Sequence, residues 1–440
     1  MLTAFARAFK TPDLRKKLLF TLAIMALFRL GSHVPTPGVD AQAVNRCLKP
    51  ALETGGGYAL VNLFSGGALL QLSIFALGIM PYITASIIIQ LLVVVIPRLE
   101  TLKKEGQAGT AKLTQYTRYL TVALAVLQST ALIALARQPG QLFQNCSETI
   151  IPNPGIFRIM TMVFTMTAGT AVIMWLGELI TDRGVGNGMS LLIFTSIAAQ
   201  FPSQLWRIKV QKAEGVGGGW PVFVSVIAVG IAIVAAVVFV EQAQRRIPVQ
   251  YAKRMIGRRM YGGSSTYIPL KVNQAGVIPV IFASSLLYIP ALAINFADRT
   301  NPPVWATWIE QHFVRGNHPY YIITYFVLIV FFTFFYVGIT FNPEEVSDNM
   351  KKYGGFIPGI RAGRPTAEYL DYILTRITWP GSLYLGLVAV IPMVAITLFG
   401  ANQSFPFGGT SILIIVGVGL ETVKQIESQL QQRNYEGFLR

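Results

Sequence analysis

The sequence predicts an all-α protein that crosses a membrane many times. Apolar residues make up 53% of the 440-residue chain, charged residues only 13%, and the mean hydropathy is +0.52. An ordinary soluble domain carries about 25% charged residues. Long apolar windows recur along almost the whole chain, with the spacing of membrane-crossing helices and their connections. These observations favour a polytopic membrane protein over a soluble fold.

Windows of about 20 apolar residues predict ten transmembrane helices. The first follows Lys16 and Lys17, as the core of a signal peptide would, but no small-residue cleavage site comes after it. We therefore interpret it as the first span. The ten predicted spans lie near residues 18–34, 74–96, 117–136, 156–177, 189–207, 220–240, 274–294, 320–340, 377–398 and 410–427.

An uncharged run from Leu60 to Pro97 is too long for one membrane crossing. Its 38 residues would extend about 57 Å as one helix, against a hydrocarbon core of about 30 Å. Gly66 and Gly67 interrupt a short, partly polar first part. The run therefore predicts a re-entrant half-helix at about residues 61–72 and a complete span over residues 74–96. Because non-helical backbone at membrane depth must be enclosed by protein or line a water-filled cavity, this interruption implies a cavity.

The distribution of Lys and Arg predicts that both termini lie in the cytoplasm. With that orientation, 26 of the 36 cationic residues fall on the inner side and 9 on the outer side, while Arg29 lies inside the first span. Cationic loops stay on the cytoplasmic side of a membrane, so the bias fixes the expected orientation. It also accounts for much of the net charge of +16, so nucleic-acid binding is not needed to explain that charge.

Five spans on each side of a glycine-rich segment predict two halves of opposite orientation. The segment RIKVQKAEGVGGGWP separates residues 1–215 from residues 216–440. An odd number of spans inverts the second half relative to the first, as in many transporters. No sequence repeat supports this inference, which depends on the span count alone.

Two inner connections, at about residues 241–273 and 341–376, are longer than a helical bundle requires. The first carries seven cationic residues against one acidic residue, and the second carries cationic residues among glycines. Alternation from Ile247 to Tyr251 predicts a strand, and the Tyr261-Gly262-Gly263 sequence predicts a turn. Two interpretations remain open: contact with anionic lipids, or docking of an anionic or RNA-bearing partner.

The predicted spans contain few ionisable residues. Ion-coupled carriers usually hold such groups at mid-depth, whereas Glu178 and Glu241 lie at predicted inner helix ends, where a carboxylate is usually a solvated cap. Arg29 lies near the outer end of its span and can snorkel. The sequence has no Walker loop, HExxH, CxxC or nucleophile elbow. We therefore expect no enzymatic activity, no metal and no cofactor.

Apolar residues occupy the interior positions of the spans instead. Ile83 and Ile87 are four residues apart and share one helical face, and Ile193, Ile278 and Ile414 are comparable. Such residues usually face lipid or pack in a core. A ring of them around a pore is the special case, because a hydrophobic constriction gates by dewetting.

Several stretches of the chain resemble the SecY family, the central subunit of the bacterial protein-conducting channel. They are NLFSGGALLQLSIFALGIMPYITASIIIQLL, RGVGNGMSLLIF, PLKVNQAGVIPVIFASS, GFIPGIRAGRPTAEYLDYILTR and FGGTSILIIVGVGLETVKQIESQL. The resemblance covers nearly the whole chain. It implies a ten-helix clamshell of two inverted halves around an hourglass pore, which passes unfolded secretory polypeptides and releases transmembrane segments sideways through a lateral gate. A secondary transporter of small solutes is the alternative from another class.

The resemblance also implies functional residues. The half-helix at residues 61–72 would be the plug that seals the resting channel, and it includes Asn62, Phe64, Ser65, Gly66, Gly67 and Ala68. The pore ring would comprise Ile83, Ile87, Met189, Ile193, Ile278 and Ile414, among which the unbranched Met189 departs from isoleucine. Partner docking would involve Arg258, Arg259, Arg361 and Arg364.

The lateral gate implied by the family lies between the second and third helices on one side and the seventh and eighth on the other. Gln90 and Asn273 would sit on the second and seventh helices. A polar pair across the gate would hold it shut by roughly 1 kcal/mol; ordinary interhelical hydrogen bonding is an equal alternative.

The family further implies partners and a location. The partners are the SecE and SecG subunits, the SecA motor, the ribosome with its rRNA and proteins, signal sequences, nascent chains and membrane lipids. The location is the bacterial cytoplasmic (inner) membrane. Cys47 and Cys146 both lie in predicted outer loops, where oxidation is possible, but their pairing does not follow from the sequence.

Overall fold

A computed structural model describes residues 9–54, 65–137, 148–152, 155–210, 220–251, 254–256, 259–261, 265–294, 303–314, 318–399 and 409–436. The first half of the chain forms eight of the described helices. They are α1 (Pro12–Gly31), α2 (Ala41–Thr54), α3 (Met80–Val95), α4 (Pro97–Lys104), α5 (Gln107–Ala136), α6 (Ile156–Arg183), α7 (Gly188–Ala198) and α8 (Phe201–Val210).

The second half continues the helical architecture and adds short strands. Its helices are α9 (Trp220–Gln242), α10 (Ile278–Ile294), α11 (Val304–Ile309), α12 (Pro319–Thr340), α13 (Pro343–Lys352), α14 (Arg364–Phe399) and α15 (Gly409–Glu436), and a π-helical turn spans Glu310–Val314. Its strands are β1 (Gln244–Tyr251), β2 (Arg254–Ile256), β3 (Arg259–Tyr261), β4 (Ser265–Lys271) and β5 (Gly355–Phe356).

The predicted all-α membrane architecture is confirmed. Within the described residues, five helices are long and apolar enough to cross a membrane: α5, α6, α12, α14 and α15. The bent pair of α3 and α4 would make a sixth. The other predicted spans coincide with α1, the α7 and α8 pair, α9 and α10, which do not pass that test of length and composition on their own.

Two predicted span boundaries are wrong. The span expected from residue 74 begins only at Met80, because residues 74–79 form turns. The span expected over residues 189–207 is divided at residues 199–200 into α7 and α8. The chain also turns by 100° between α3 and α4. There Ile96 is extended before Pro97, since the proline ring disfavours helical backbone in the preceding residue.

Two seams join the first and second halves of the chain. Helix α3 packs against α10, and α7 packs against α15. The largest apolar cluster is continuous across both seams and draws side chains from α1, α3, α6, α7, α9, α10, α12, α14 and α15. The two halves therefore share one apolar centre.

Strands β1, β4 and β5 form a small sheet beside α13 and the start of α14, and we call this end of the molecule the sheet side; β2 and β3 pair separately with each other. Strand β1 lies between β4 and β5 and is antiparallel to both, with Ile247 opposite Ile268 and Gln250 opposite Phe356. The predicted strand around residues 247–251 is therefore confirmed. Of the predicted turn, Tyr261 ends β3, and Gly262 and Gly263 lie outside the described residues.

Candidate functional site

The six residues predicted for the ring come together in the shared apolar centre. Ile83, Ile87, Ile193 and Ile414 are buried there, and Met189 and Ile278 are partly buried against the same cluster. They arrive from α3, α7, α10 and α15, so both halves contribute.

The local sequence explains how α7 reaches the centre. The side chain of Asn187 caps the helix, and its Oδ1 accepts from the backbone N–H of Met189 at 3.1 Å and from that of Ser190 at 3.4 Å. A Cβ on Gly188 would collide with the carbonyl oxygen of Gly177, so the absence of a side chain lets α7 approach α6 closely. This approach fixes the position from which Ile193 enters the cluster.

Met189 differs from the isoleucines in what it touches. Its thioether lies over Gly177 of α6, in the space that a Cβ on that glycine would occupy. The side chain therefore packs between α6 and α7, two helices of the same half.

Beside this centre, residues 65–79 cross the interior without forming a helix. Gly66, Gly67 and Gly78 have positive φ angles of 69°, 90° and 56°, and Leu72 has a φ of 47°. Positive φ is incompatible with a right-handed helix, so the predicted half-helix is wrong for residues 65–72, which form successive turns. The predicted plug positions Asn62 and Phe64 lie outside the described residues.

Residues 65–79, which we call the turn segment, are almost completely buried. Ser65, Ala68, Leu72 and Ala76 are each at most 1% exposed. The hydroxyl of Ser65 accepts a hydrogen bond from the backbone N–H of Leu69 at 3.1 Å, which closes the first turn. Hydrogen bonds of this kind are required because buried backbone groups cannot be left unpaired.

The connection that follows α1 holds the far end of the turn segment. The N–H of Thr36 donates to the carbonyl of Leu72 at 3.0 Å, and the N–H of Ile74 donates to that of Val34 at 2.9 Å. These bonds flank a short antiparallel bridge between Pro35 and Ser73.

Helix α2 covers the turn segment. Val44 and Cys47 of α2 pack in one apolar cluster with Leu69 and Leu72. Cys47 is disulfide-bonded, and Cys146, the second of the two cysteines in the sequence, lies outside the described residues.

The contact of Arg29 differs from the one predicted from its position in the first span. Instead of snorkelling, its Nη1 donates to the carbonyl of Gly66 at 2.6 Å, so the guanidinium turns toward the turn segment. Glu178 is likewise no solvated cap, because Arg118 binds both of its carboxylate oxygens, at 2.9 and 2.8 Å. Sequence reasoning missed both contacts, since the partners lie 37 and 60 positions apart and no local spacing marks them.

The two residues predicted for the lateral gate lie on opposite sides of the seam between α3 and α10, and each bonds within its own half. Gln90 donates to the hydroxyl of Ser86 one turn away at 3.2 Å. Asn273 precedes α10 rather than lying on it, and its amide donates to Glu241 Oε1 at 2.7 Å and to the carbonyl of Gly276 at 3.1 Å. The expected direct pair between Gln90 and Asn273 is replaced by these contacts.

Two of the residues predicted for docking, Arg361 and Arg364, lie on the sheet side. Arg361 and Arg364 are exposed between β5 and the first turn of α14. The hydroxyls of Ser347 and Thr366 donate to the carbonyls of Gly363 and Arg361, at 2.6 and 2.8 Å, which orders this loop. Arg259 begins β3, and Arg258 lies outside the described residues.

Metal ligation has no candidate in the described ranges, where no three His, Cys, Asp or Glu side chains gather.

The fold and its centre define a class: a multi-pass membrane protein whose two halves meet at an apolar centre beside a buried, non-helical segment. Comparison with known proteins narrows this class. The SecY family model matches residues 73–423, and the chain belongs to the SecY family.

Relatives match over the full length. The chain is 73% identical over 442 residues to the protein translocase subunit SecY of Streptomyces galbus, and 59% identical over 448 residues to that of Mycobacterium bovis. In both cases the match covers 100% of this chain and of the relative.

Solved structures share the fold at low sequence identity. One is described as the structure of a protein conducting channel, with a TM-score of 0.63, and another as Sec61 in the canine ribosome-channel complex, with a TM-score of 0.60. Each is 18% identical and matches 94% of this chain and 91% of the other chain. A third, with a TM-score of 0.62, concerns the plug domain of SecY, which its description says stabilises the closed state and maintains a membrane seal.

Proposed function

We propose that the protein is a channel that passes unfolded polypeptides across the bacterial cytoplasmic membrane and releases transmembrane segments into lipid. Membership of the SecY family supports this function, and so do the protein-conducting channels that share the fold. The observation that carries the proposal is the meeting of Ile83, Ile87, Ile193 and Ile414 from both halves in one apolar centre. The alternative, a secondary transporter of small solutes, finds no support in the relatives.

The six ring residues act in this proposal as a hydrophobic constriction. Branched apolar side chains leave no hydrogen-bonding partner for water, so a narrow opening between them empties of water and blocks ions. Dispersion contacts are individually weak, so the side chains can separate around an extended polypeptide and close again behind it. The halves 1–215 and 216–440 would move apart at their seams to let the polypeptide enter.

The turn segment acts as the plug. The plug domain of the related channel maintains a membrane seal according to its description, and residues 65–72 occupy a buried position beside the ring. Small side chains such as Ser65, Gly66 and Ala68 allow close seating. A limited number of hydrogen bonds, each contributing about 0.5–1.5 kcal/mol, would have to break when the plug leaves.

The seam between α3 and α10 acts as the lateral gate. Gln90 and Asn273 lie on either side of it, and each stabilises its own half. The bond from Asn273 to Glu241 links the start of α10 to the end of α9. Breaking that bond would free α10 to move relative to the sheet side, so we assign Asn273 an influence on gating without a direct bond to Gln90.

The sheet side faces the cytoplasm in this proposal, with both chain termini. The exposed Arg361 and Arg364, together with Arg258 and Arg259 of the connection at about residues 241–273, would bind the SecA motor or the ribosome, as clustered cations attract anionic partners. SecE and SecG would complete the channel. A related channel is described in a complex with a ribosome, which supports this assignment.

A crosslinking experiment tests the proposed function. A photoreactive amino acid at Ile83 or Ile193 should crosslink to a secretory chain stalled in transit, because both positions face the path. Phe164, which is 70% exposed on the outer surface of α6, is the control and should not crosslink. Failure of both ring positions to contact the chain, with translocation intact, would contradict a path through this centre.

A further inference from the structure

We infer that Arg29 is a positioning residue that holds the near end of the plug in its closed position. This inference depends on the proposed function of the turn segment as a seal. It also names one side chain as the controlling contact, which the proposed function does not do.

The contact itself is short and charge-assisted. Arg29 lies in the last turn of α1, and its Nη1 is 2.6 Å from the carbonyl oxygen of Gly66. Hydrogen bonds that involve an ionised donor are roughly twice as strong as neutral ones. Among the described residues no carboxylate forms an ion pair with Arg29. A partly enclosed guanidinium needs hydrogen-bond acceptors to offset its desolvation, so the position of the plug and the state of Arg29 are coupled.

The backbone of the plug is shaped to receive this donor. Gly66 has a φ of 69°, and a Cβ at that position would stand 2.9 Å from Arg29 Nη1 and 3.2 Å from the Cα of Ser196. Gly66 therefore fits between α1 and α7 only because it has no side chain. Positive φ at Gly67 continues the turn, so the two glycines fix the direction of the accepting carbonyl.

The plug is held differently at its two ends. At residues 72–74 the hydrogen bonds with Val34 and Thr36 are backbone pairs, which side-chain substitutions other than proline leave in place. At residue 66 the bond comes from a side chain. The pair of backbone bonds can therefore remain as a hinge while the near end swings outward, and Arg29 controls that first movement.

A permeability assay on the reconstituted channel complex tests this inference. Dye-loaded proteoliposomes would compare the parent with Arg29→Gln, Arg29→Lys and a deletion of residues 65–70. We expect Arg29→Gln to raise the resting leak roughly tenfold, since losing a charge-assisted hydrogen bond shifts an open-to-closed equilibrium by about that factor. Lysine keeps the charge with a different donor geometry and should give a smaller increase.

The controls separate this inference from the proposed function. Arg46→Gln, which removes an exposed cation paired with Glu148 at 3.3 Å, should leave the leak unchanged. Arg29→Gln should add no further leak to the deletion, because both act on the same seal. A deletion that leaks while Arg29→Gln and Arg29→Lys remain tight would overturn the inference about Arg29. It would still support the role of residues 65–72 as a plug. A deletion that does not leak would overturn the plug itself.

A labelling measurement guards against a variant that assembles poorly. A cysteine at Leu70, a position only 7% exposed, reports opening by its rate of reaction with a membrane-impermeant maleimide. Among fully assembled complexes the rate should rise in Arg29→Lys and rise further in Arg29→Gln. Equal rates in the parent and both variants would contradict the role of Arg29.

Discussion

The turn segment and the isoleucine ring are both buried in apolar surroundings, but the turn segment depends in addition on directed hydrogen bonds to other elements. The ring is formed by side chains on regular helices and is stabilised by apolar packing across two seams. The turn segment packs against α2 and is held in addition by directed bonds: Arg29 and Thr36 donate to its carbonyls, and its Ile74 N–H donates to the carbonyl of Val34. Apolar packing deforms gradually, whereas a few directed bonds break one at a time. The ring suits a constriction that adapts to its cargo, and the segment suits a seal that leaves as a unit.

The largest effect is expected from making the ring polar. Replacing Ile193 with Asn places an amide in an apolar cluster where the isoleucine is only 3% exposed. An unpaired buried amide costs several kcal/mol, roughly 2–5, so water should enter to solvate it. Conductance of the resting channel should rise strongly.

Single-channel recording in planar bilayers would measure this change. Phe164→Asn on the outer surface of α6 controls for a general effect of a new amide in the membrane. If the resting channel stays closed with Ile193→Asn, the ring is not part of the permeation barrier. The turn segment would then be the seal.

A second, smaller effect is expected from distorting the turn segment. Gly66→Ala forces a side chain to adopt positive φ and to approach Ser196 closely, with a combined cost of about 1–3 kcal/mol. Gly106 is a matched control, because its φ is 78° but no atom lies within 4 Å of an added Cβ.

Both alanine variants should lose thermal stability through backbone strain. Only Gly66→Ala should raise the ion leak of proteoliposomes, since only that strain moves the plug. Equal leak from both variants would mean that strain anywhere in the protein opens the channel.

Charge reversal on the sheet side should leave the ring and the turn segment intact and should reduce polypeptide transport. Arg361→Glu removes an exposed cation and should weaken docking of an anionic partner roughly tenfold. Post-translational export should fall more than the amount of assembled complex, as measured by export in inverted vesicles beside quantitation of the complex. Arg46→Glu, which reverses an exposed cation of α2, is the control. An equal loss of assembled complex would point to a folding role for Arg361.

The smallest effect is expected at the lateral gate. Asn273→Leu removes the bonds to Glu241 and Gly276, each contributing about 1 kcal/mol, and should broaden signal-sequence selectivity without a large resting leak. Gln90→Leu removes only the bond to Ser86 within its own helix and should have less effect. Export of a precursor with a weakened signal sequence measures the difference. Unchanged signal-sequence selectivity in Asn273→Leu would show that Asn273 does not influence gating.

Much of the helical frame was predictable from the sequence because apolar length and loop charge report membrane crossings directly. The break at Gly66 and Gly67 was also predictable, as was the strand at Ile247. The turns of residues 65–72 were not, since a glycine pair allows positive φ without requiring it. The contacts of Arg29 and Arg118 depend on residues far away in the chain. The family resemblance implies that Asn273 lies on the seventh helix, whereas the structure begins α10 only at Ile278.

The central claim is that residues 65–72 leave a seat beside the ring while the ring closes around the polypeptide. The direct test follows both elements in one sample, with a cysteine at Leu70 to report the plug and a photoreactive residue at Ile83 to report the ring. When a secretory chain is stalled in transit, the maleimide reaction at position 70 should accelerate and position 83 should crosslink to the chain. Crosslinking at position 83 with no change in the reaction rate at position 70 would contradict the account, because the polypeptide would then pass with the plug still seated.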